Sequence, residues 1–395
     1  MRVLLLTHSF WPEHSPPQRR WAAFTKYFAE QGHKVSVVTP APTSQAVYPE
    51  NVEGAPPTNV VIHRYRSFTA SHSMLGKLVK HFCDAVRSLP VGLRSSTPDV
   101  VIATVPALPT MVVGYALSKI WRVPFVVDLR DAWPDLLKDS KVLRISWLEP
   151  MISGLLGFLL RRSDLLVTTT NGLAEKMGVT RSNRTIVVRN GVDLSTPLVP
   201  LEECPRGNRL RVLYLGNLGR SQGLESVIEA VSGIQQYVEL RIVGRGTEED
   251  KLRKLAEDLH VDVDFREPVI GGGVLKNYAW ADTCLVSLRS DWPSFEHTIP
   301  SKLYELMHLN RHVTGLVSGE AAEVIREAKA GHVVPQSVRA IQDYLVDLSH
   351  NREKLDVSRN GCDWVADHAS LNELAAKFLD ELVALVEDRR RDESL

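Results

Sequence analysis

The sequence has no excess of charge of either sign, because 47 Lys and Arg residues are balanced by 47 Asp and Glu residues. This balance argues against a nucleic-acid-binding protein, which needs a basic surface to meet the phosphate backbone. Cysteine is also scarce. The four cysteines lie far apart and show no metal-ligand spacing, at Cys83, Cys204, Cys284 and Cys362. We therefore expect reduced thiols in a cytoplasmic protein.

Long apolar segments are rare as well. The first residues, MRVLLLTHSFW, contain an apolar run that is too short for a signal peptide. Residues 100–118 carry no charge and approach the length of a transmembrane helix. Pro106 and Pro109 interrupt this stretch, which begins with β-branched residues. A buried strand followed by a buried helix therefore explains it better than a membrane span.

The order of strands and helices predicts two similar halves, and 395 residues are enough for about two domains. The segments RVLLLTH, RRWAAFTKYFAEQGHK and VSVVTP are typical of a strand, a helix and a strand in a doubly wound parallel sheet. A Pro-rich segment at 195–209 is the best linker candidate, and the same alternation restarts at LRVLYLGNLG. We predict an α/β fold with two Rossmann-like domains, residues 1–200 and 201–370. A C-terminal helix, residues 371–395, could pack back on the first domain.

Ligands of such sheets bind beyond the carboxyl ends of the strands. The turn GNLGRSQGL, residues 216–224, contains glycines that let backbone approach a ligand and amides that could meet an anion. An ordinary strand-to-helix turn explains it equally well. The turn GRGTEED, residues 244–250, lacks the third glycine and the ribose-binding acid of a dinucleotide fingerprint, which argues against an NAD enzyme.

The segment SDWPSFEHTIPSKLYELM, residues 290–307, carries the strongest functional signal. Pro300 precedes a predicted helix whose first turn holds Ser301, Lys302 and Leu303. The amides of a helix start and a lysine there attract phosphate, and Glu305, one turn on, could accept hydrogen bonds from a ribose diol. A solvated Lys and Glu on a surface helix are the alternative. The two glycine turns in the same half favour a nucleoside diphosphate.

These segments, together with NGVD at 190–193, resemble the retaining GT-B glycosyltransferases of family 4 over nearly the whole chain. The resemblance implies a GT-B fold, with two Rossmann-like domains facing each other across a cleft. It also implies that Glu305 is the second glutamate of an E-x7-E motif and binds the donor ribose. The first glutamate would fall at His297, with Glu296 one residue away.

The glycine turn departs from the family pattern. Many members have an Arg after the first Gly and a Lys before the last, where this chain has Asn217 and Gln222. The resemblance then implies that Lys302, Arg220 and Glu296 are the catalytic residues. The implied donor-binding residues are Gly216, Asn217, Gln222, Gly244, Arg245, Arg266, His297, Ser301, Lys302, Leu303 and Glu305.

The first half would bind the acceptor. Its loop PEHSPPQRR has prolines that cannot donate amides, so Arg19 or Arg20 would have to replace that contact, and only one of them can face the site. DLRDAWPD follows a strand, so Asp128, Arg130 and Asp131 reach the same edge, although we favour an Asp-Arg ion pair that holds a loop. The acceptor-side candidates are His14, Arg19, Arg130 and Asp131.

The resemblance implies retaining transfer of a hexosyl or N-acetylhexosaminyl group from a nucleoside diphosphate sugar, with UDP favoured. The acceptor would be the hydroxyl of a glycan, a lipid-linked glycan or a small molecule, as in polysaccharide synthesis. No metal, other cofactor or nucleic acid is expected. Two basic amphipathic stretches, 74–89 and 143–162, could touch the inner face of a membrane, but we favour helices that cover the sheet. The alternatives are a nucleotide-sugar epimerase and a catalytically silent donor-binding partner.

Overall fold

The chain forms two compact units in a computed structural model. One unit comprises Met1–Asp193 together with Ser370–Leu395, and the other comprises Leu194–Ala369. Most of the predicted linker lies outside the described residues. The structure describes residues 1–12, 16–42, 56–67, 74–105, 108–132, 148–177, 184–194 and 207–394.

The first unit contains a parallel sheet, with strands in the order β3-β2-β1-β4-β5-β6-β7. The strands are β1 Arg2–Leu6, β2 Lys34–Pro40, β3 Val60–Tyr65, β4 Val100–Val105, β5 Phe125–Leu129, β6 Leu165–Thr168 and β7 Arg184–Val187. The helices are α1 Pro16–Glu30, α2 Met74–Leu93, α3 Leu108–Trp121, α4 Leu148–Arg161, α5 Asn171–Lys176 and α13 Leu371–Ser394.

Alternate residues of β1 pack on opposite faces of this sheet, as strand geometry requires. Leu4 and Leu6 join the core beneath α2 and α3, whereas Val3 and Leu5 join the core beneath α1 and α13. On that second face, an aromatic cluster joins α1 to α13, where the rings of Trp21, Phe24 and Phe28 lie 6.0–6.1 Å from that of Phe378. Both faces are covered, which is why the strands are continuous apolar runs.

The uncharged stretch 100–118 is a strand followed by a helix, as predicted. All six residues of β4 are buried, and α3 begins at Leu108. Among the described residues, no helix is both long enough and apolar enough to span a membrane.

The second unit repeats the architecture, with strands in the order β10-β9-β8-β11-β12-β13. The strands are β8 Leu210–Leu215, β9 Val238–Val243, β10 Val263–Arg266, β11 Thr283–Ser287, β12 Val313–Leu316 and β13 Gly331–Val333. The helices are α6 Glu225–Ser232, α7 Glu249–Asp258, α8 Gly272–Trp280, α9 Ser301–His308, α10 Gly319–Glu327, α11 Val338–His350 and α12 Asn360–His368. The prediction of an α/β fold with two Rossmann-like domains is confirmed.

Helix α12 packs against α9 and fixes its position. The ring of Tyr304 stacks on that of Trp364, with centroids 6.3 Å apart. A Cβ added to Gly361 would lie 3.1 Å from the Cα of Met307, so the two helices approach closely at a glycine. These buried contacts with α12 therefore hold α9 in place.

A buried histidine in the second sheet makes a pH-dependent contribution to stability. His312 Nδ1 lies 2.8 Å from Thr283 Oγ1, and burial, together with His332 and Arg311, lowers the pKa of His312 to about 3. The unfolded chain protonates this histidine near pH 6.5, and the folded chain does not, so stability falls as the pH drops below 6.5. Between pH 7 and pH 5 we expect a loss of about 2 kcal/mol from this group.

The measurement is the urea midpoint of the wild type, of His312→Gln and of His350→Gln, at pH 7 and pH 5. His350 is an exposed histidine of α11 and serves as the matched control. We expect His312→Gln to lower the midpoint at pH 7 but to reduce its dependence on pH. An unchanged pH dependence in His312→Gln would contradict the assignment.

Candidate active site

The glycine turns after β8 and β9 lie against each other at the carboxyl edge of the second sheet. The amide of Gly216 donates to Val243 O at 2.8 Å, and that of Leu218 donates to Arg245 O at 2.9 Å. A Cβ added to Gly244 would lie 1.8 Å from Gly216 O, so only glycine permits this approach. The two turns therefore form one rigid backbone ledge.

Lys302 lies directly over this ledge. It is the second residue of α9, and its Nζ lies 4.5 Å from the centroid of the Tyr214 ring. The Tyr214 hydroxyl donates to Asn217 O at 2.7 Å, which ties the ring to the glycine turn. The structure thus brings Lys302 together with Gly216 and Asn217, three of the predicted donor-binding residues.

The absence of a side chain at Gly216 gives Lys302 its position. A Cβ at this residue would lie 2.2 Å from Lys302 Nζ, and the backbone φ of +154° is unfavourable for other residues. We expect Gly216→Ala to displace the ammonium group and to lower turnover by roughly tenfold or more, because small displacements of a charged group at a reacting centre are costly.

Steady-state turnover and the thermal midpoint of Gly216→Ala should be compared with those of Gly272→Ala. Gly272 lies in the same unit, in α8, and a Cβ there would meet no atom within 4 Å. We expect the control to keep full turnover. Normal turnover in Gly216→Ala would mean that the position of Lys302 does not matter for the reaction.

Two of the expected anion-binding amides are already bonded within the fold. The Gly216 amide pairs with Val243, and the Gly219 amide donates to Gln222 Oε1 at 3.0 Å. These two amides therefore have hydrogen-bond partners within the fold. The Gln222 side chain thus closes the turn. Asn217 and Arg220 are exposed.

A glutamine that the sequence analysis missed supports this turn. Gln336 Nε2 donates to Gln222 O, Gly223 O and Ser287 Oγ at 3.3–3.4 Å. Its Oε1 accepts from the Ser290 amide at 2.9 Å. Gln336 lies just before α11, far along the chain from the turn, and no local motif marks it.

Glu296 and His297 lie on a separate short 3-10 helix, Pro293–His297, ahead of α9. A Cβ added to Gly319, which has a φ of +56°, would lie 2.0 Å from Glu296 O, so the start of α10 fixes this segment. The Glu296 side chain is exposed, and Glu305 is half-buried on α9. The two carboxylates are thus placed on either side of Lys302 along the chain.

The two other predicted donor-binding arginines are bonded to carboxylates. Arg245 Nε lies 2.7 Å from Glu267 Oε2, and this contact raises the pKa of Arg245. Arg266 Nε donates to Asp264 Oδ2 at 2.9 Å. Both side chains are exposed, so a ligand would have to compete with these partners.

In the first unit, the inward-facing arginine is Arg20 and not Arg19. Arg20 is buried, with Nη2 3.3 Å from Asp128 Oδ1, whereas Arg19 is exposed because it lies one residue away on α1. Arg130 Nε lies 3.9 Å from Asp128 Oδ2 and donates to Val105 O at 3.4 Å. The predicted ion pair at this strand end is therefore present, shared by two arginines.

Two further acceptor-side predictions have different outcomes. Asp131 is half-buried, and burial raises its pKa. His14 lies outside the described residues, so its position stays a prediction.

His8, two residues after β1, belongs to the same edge, although no sequence pattern selects it. Burial, together with Arg130, His81 and Lys80, lowers the pKa of His8 to about 4. Among the described residues, its Nδ1 has no hydrogen-bond partner. A neutral imidazole therefore lies at the carboxyl edge of the first sheet at pH 7.

Two family profiles match the chain. The profile described as glycosyl transferase 4-like domain matches residues 17–191, and that described as glycosyl transferases group 1 matches residues 209–351. The structure is similar to sucrose-phosphate synthase from Thermosynechococcus elongatus, with a TM-score of 0.76 and 14% identity, over 98% of this chain and 99% of that one. This chain belongs to the GT-B glycosyltransferases. The predicted GT-B fold is confirmed.

Other solved structures resemble this GT-B glycosyltransferase. Anabaena Alr3699/HepE in complex with UDP has a TM-score of 0.67 and 15% identity, over 97% of this chain and 100% of that one. WaaG, a glycosyltransferase involved in lipopolysaccharide biosynthesis, has a TM-score of 0.65 and 18% identity, over 96% and 99%. A comparison with curated proteins gave no match.

Proposed function

We propose that this glycosyltransferase moves a hexosyl or N-acetylhexosaminyl group from a UDP-sugar to an acceptor hydroxyl, with retention of the anomeric configuration. The observation that carries the proposal is Lys302, held at the start of α9 over the glycine ledge of β8 and β9. A helix start and a lysine at the carboxyl edge of a parallel sheet suit a diphosphate.

Departure of the sugar leaves negative charge on the diphosphate. Lys302 stabilises that charge, because its ammonium group is fixed in place by Tyr214 and Gly216 before the reaction begins. Arg220 assists from the exposed turn. Arg245 and Arg266 contribute less, since each already has a carboxylate partner.

The remaining donor contacts follow from the order of the segment. Glu305, one turn beyond Lys302 on α9, accepts hydrogen bonds from the ribose hydroxyls. Glu296 and His297, on the preceding 3-10 helix, bind the sugar hydroxyls. The bond from the anomeric carbon to the phosphate oxygen breaks as the acceptor oxygen bonds to the same face of that carbon. Because the acceptor attacks the face from which the phosphate leaves, no protein nucleophile is needed, and the leaving phosphate takes the acceptor proton.

We assign the acceptor to the carboxyl edge of the first sheet. Arg20, Asp128 and Arg130 hold that edge rigid through their shared ion pairs. Neutral His8 can exchange hydrogen bonds with an acceptor hydroxyl, since one ring nitrogen donates and the other accepts. A glycan, lipid-linked or small-molecule acceptor would satisfy these groups, and we place the reaction in polysaccharide or glycoconjugate synthesis.

The proposed reaction uses no metal. Within the described ranges, no three His, Cys, Asp or Glu side chains are grouped so that they could hold a metal ion. The charge on the diphosphate is instead assigned to Lys302. Turnover should therefore survive treatment with a chelator.

UDP is the favoured nucleotide because the similar HepE structures contain UDP and UDP-glucose. The test is a thermal-shift panel of nucleoside diphosphates and nucleotide sugars, since a ligand that binds the folded state raises its stability. The stabilising donors are then incubated with candidate acceptors, and the product is analysed by NMR. An α-linked product from an α-linked donor supports retention, and an inverted product contradicts it.

A nucleotide-sugar epimerase is the second candidate. It is supported by the structural similarity to a putative UDP-N-acetylglucosamine 2-epimerase from Listeria monocytogenes, with a TM-score of 0.61 and 12% identity. Incubation of the donor without any acceptor distinguishes the two, because an epimerase would change the free nucleotide sugar. Binding without transfer or epimerisation would indicate a catalytically silent partner protein.

A further inference from the structure

Three helices lie on one face of the first sheet and cover it. Helices α2 and α3 pack over Leu4, Leu6 and Val101, and α3 and α4 pack over Val127 and its neighbours. The sequence-based prediction that the amphipathic stretches cover the sheet is therefore correct for their inner sides. Their outer sides have a different character.

The outer sides are unusually apolar. Of the twelve large hydrophobic side chains that are exposed among the described residues, eight belong to these three helices. The eight, which together we call the basic apolar face, are Phe82, Val86, Leu93, Val112, Ile120, Met151, Leu155 and Phe158. Phe82 is 64% exposed and Met151 is 56% exposed, so more than half of each residue is accessible to solvent. Isolated exposed apolar residues are common, but such a concentration marks an interaction surface.

The side chains follow helical stripes and join across the helices. Phe82, Val86 and Leu93 recur along α2 at spacings that keep them on one side. Met151, Leu155 and Phe158 form a second stripe along α4. The Phe158 ring meets the Tyr115 ring of α3, with centroids 5.9 Å apart, which makes the α3 and α4 surfaces continuous.

Positive charge accompanies this apolar surface. Lys119 Nζ lies 5.2 Å from the Tyr115 ring centroid, and Arg162 Cζ lies 5.4 Å from that of Phe158. Residues 74–94, 108–122 and 148–162 contain eight Lys or Arg (four, two and two) and two Asp or Glu. One of the two acids, Asp84, is buried and pairs with Lys80, so this pair adds no net charge to the face.

The opposite face of the same sheet lacks this bias. Helices α1 and α13 contain seven Lys or Arg (three and four) and eight Asp or Glu (one and seven). The chain as a whole has no net charge. The positive charge is therefore concentrated on the face that also exposes apolar side chains.

We propose that the basic apolar face docks on the surface of an anionic lipid bilayer. Lys and Arg attract the headgroups, while Phe, Met and Leu enter the boundary between headgroups and acyl chains, as in interfacial helices. A second copy of the chain is a poorer occupant, because two such faces would bring like charges together. This inference goes beyond the proposed transfer reaction and does not depend on it.

The experiment is co-sedimentation of the 395-residue chain with vesicles, in the absence of any sugar donor. The vesicles contain either phosphatidylcholine alone or phosphatidylcholine with about 30 mol% phosphatidylglycerol, a content chosen to give a negative surface potential. We expect binding to the anionic vesicles, and binding that added salt weakens but does not abolish.

Two sets of variants separate the contributions. Phe82→Gln with Met151→Gln should reduce the partition coefficient on anionic vesicles by roughly tenfold, because it removes the inserted apolar area. Lys119→Gln with Arg162→Gln should reduce it by a similar factor, about tenfold, and should weaken its dependence on salt. Both sets change exposed side chains, so circular dichroism should confirm that the fold is retained.

The matched control is Leu259→Gln with Ile270→Gln. These exposed apolar residues belong to the second unit, and the control should bind as the wild type does. Equal binding to both vesicle types, no binding, or the same loss in the control would overturn the proposal. A dimer in solution that Met151→Gln dissociates would show that a second copy covers the face, and would also overturn it.

Discussion

Lys302→Ala should lower turnover by about a hundredfold or more, because it removes a preorganised cation from the leaving group. The reason is structural: the Tyr214 ring and the bare backbone of Gly216 fix Nζ at the carboxyl end of β8. Lys302 is only half-buried, so the unit should remain folded. The measurements are turnover, KM for the donor and affinity for UDP.

Lys251→Ala is the matched control, since this lysine is exposed on α7 of the same unit and pairs with Glu248 at 2.8 Å. It should leave turnover unchanged. Lys302→Arg keeps the charge but changes its shape and reach, so it should restore part of the UDP affinity and less of the turnover. Near-normal turnover in Lys302→Ala would rule out its role at the leaving group.

Glu305→Gln should weaken donor binding by about 1.5–3 kcal/mol, because a pair of charge-assisted hydrogen bonds becomes a weaker pair. The loss should be the same for every sugar on one nucleotide, and for the bare nucleoside diphosphate, since Glu305 is assigned to the ribose. Calorimetric titration with UDP and with the full donor provides the measurement. Glu323→Gln, on the exposed side of α10, is the control.

His297→Ala should show the opposite selectivity. This residue lies on the 3-10 helix before Pro300, on the side assigned to the sugar. We expect nearly unchanged affinity for UDP and an altered preference among UDP-sugars. Should His297→Ala weaken UDP as much as Glu305→Gln does, the division of roles along residues 296–305 is wrong.

The proximity of Lys302 and Gly216 agrees with the expectation that ligand-binding residues follow the carboxyl ends of the strands. β11 pairs directly with β8 in the second sheet, so the segment that leaves β11 begins beside the turn that leaves β8. Two glycine turns and a helix start in one half are therefore sufficient to place the three at one edge. Apolar runs such as VVIATV indicated buried parallel strands, because a strand that is covered on both faces has no polar side.

The finer contacts depend on geometry that no local pattern records. Gln222 Oε1 accepts the hydrogen bond of the Gly219 amide, which would otherwise be left for an anion. This contact depends on the three-dimensional path of the turn. Whether Arg19 or Arg20 faces inward depends on the phase of α1 by a single residue. The environment of His8 is set by Arg130 and Lys80, which come from distant parts of the chain.

The chain passes between the two units twice, and the order in which it is synthesised has a consequence. Residues 194–369 are contiguous, so that unit can complete its core as soon as it leaves the ribosome. The other unit lacks Phe378, which contacts Trp21, Phe24 and Phe28, until the last helix emerges. The unit that begins at Met1 is therefore synthesised first but completes its folding last. Until α13 emerges, its aromatic side chains remain exposed, where they can bind chaperones or lead to aggregation.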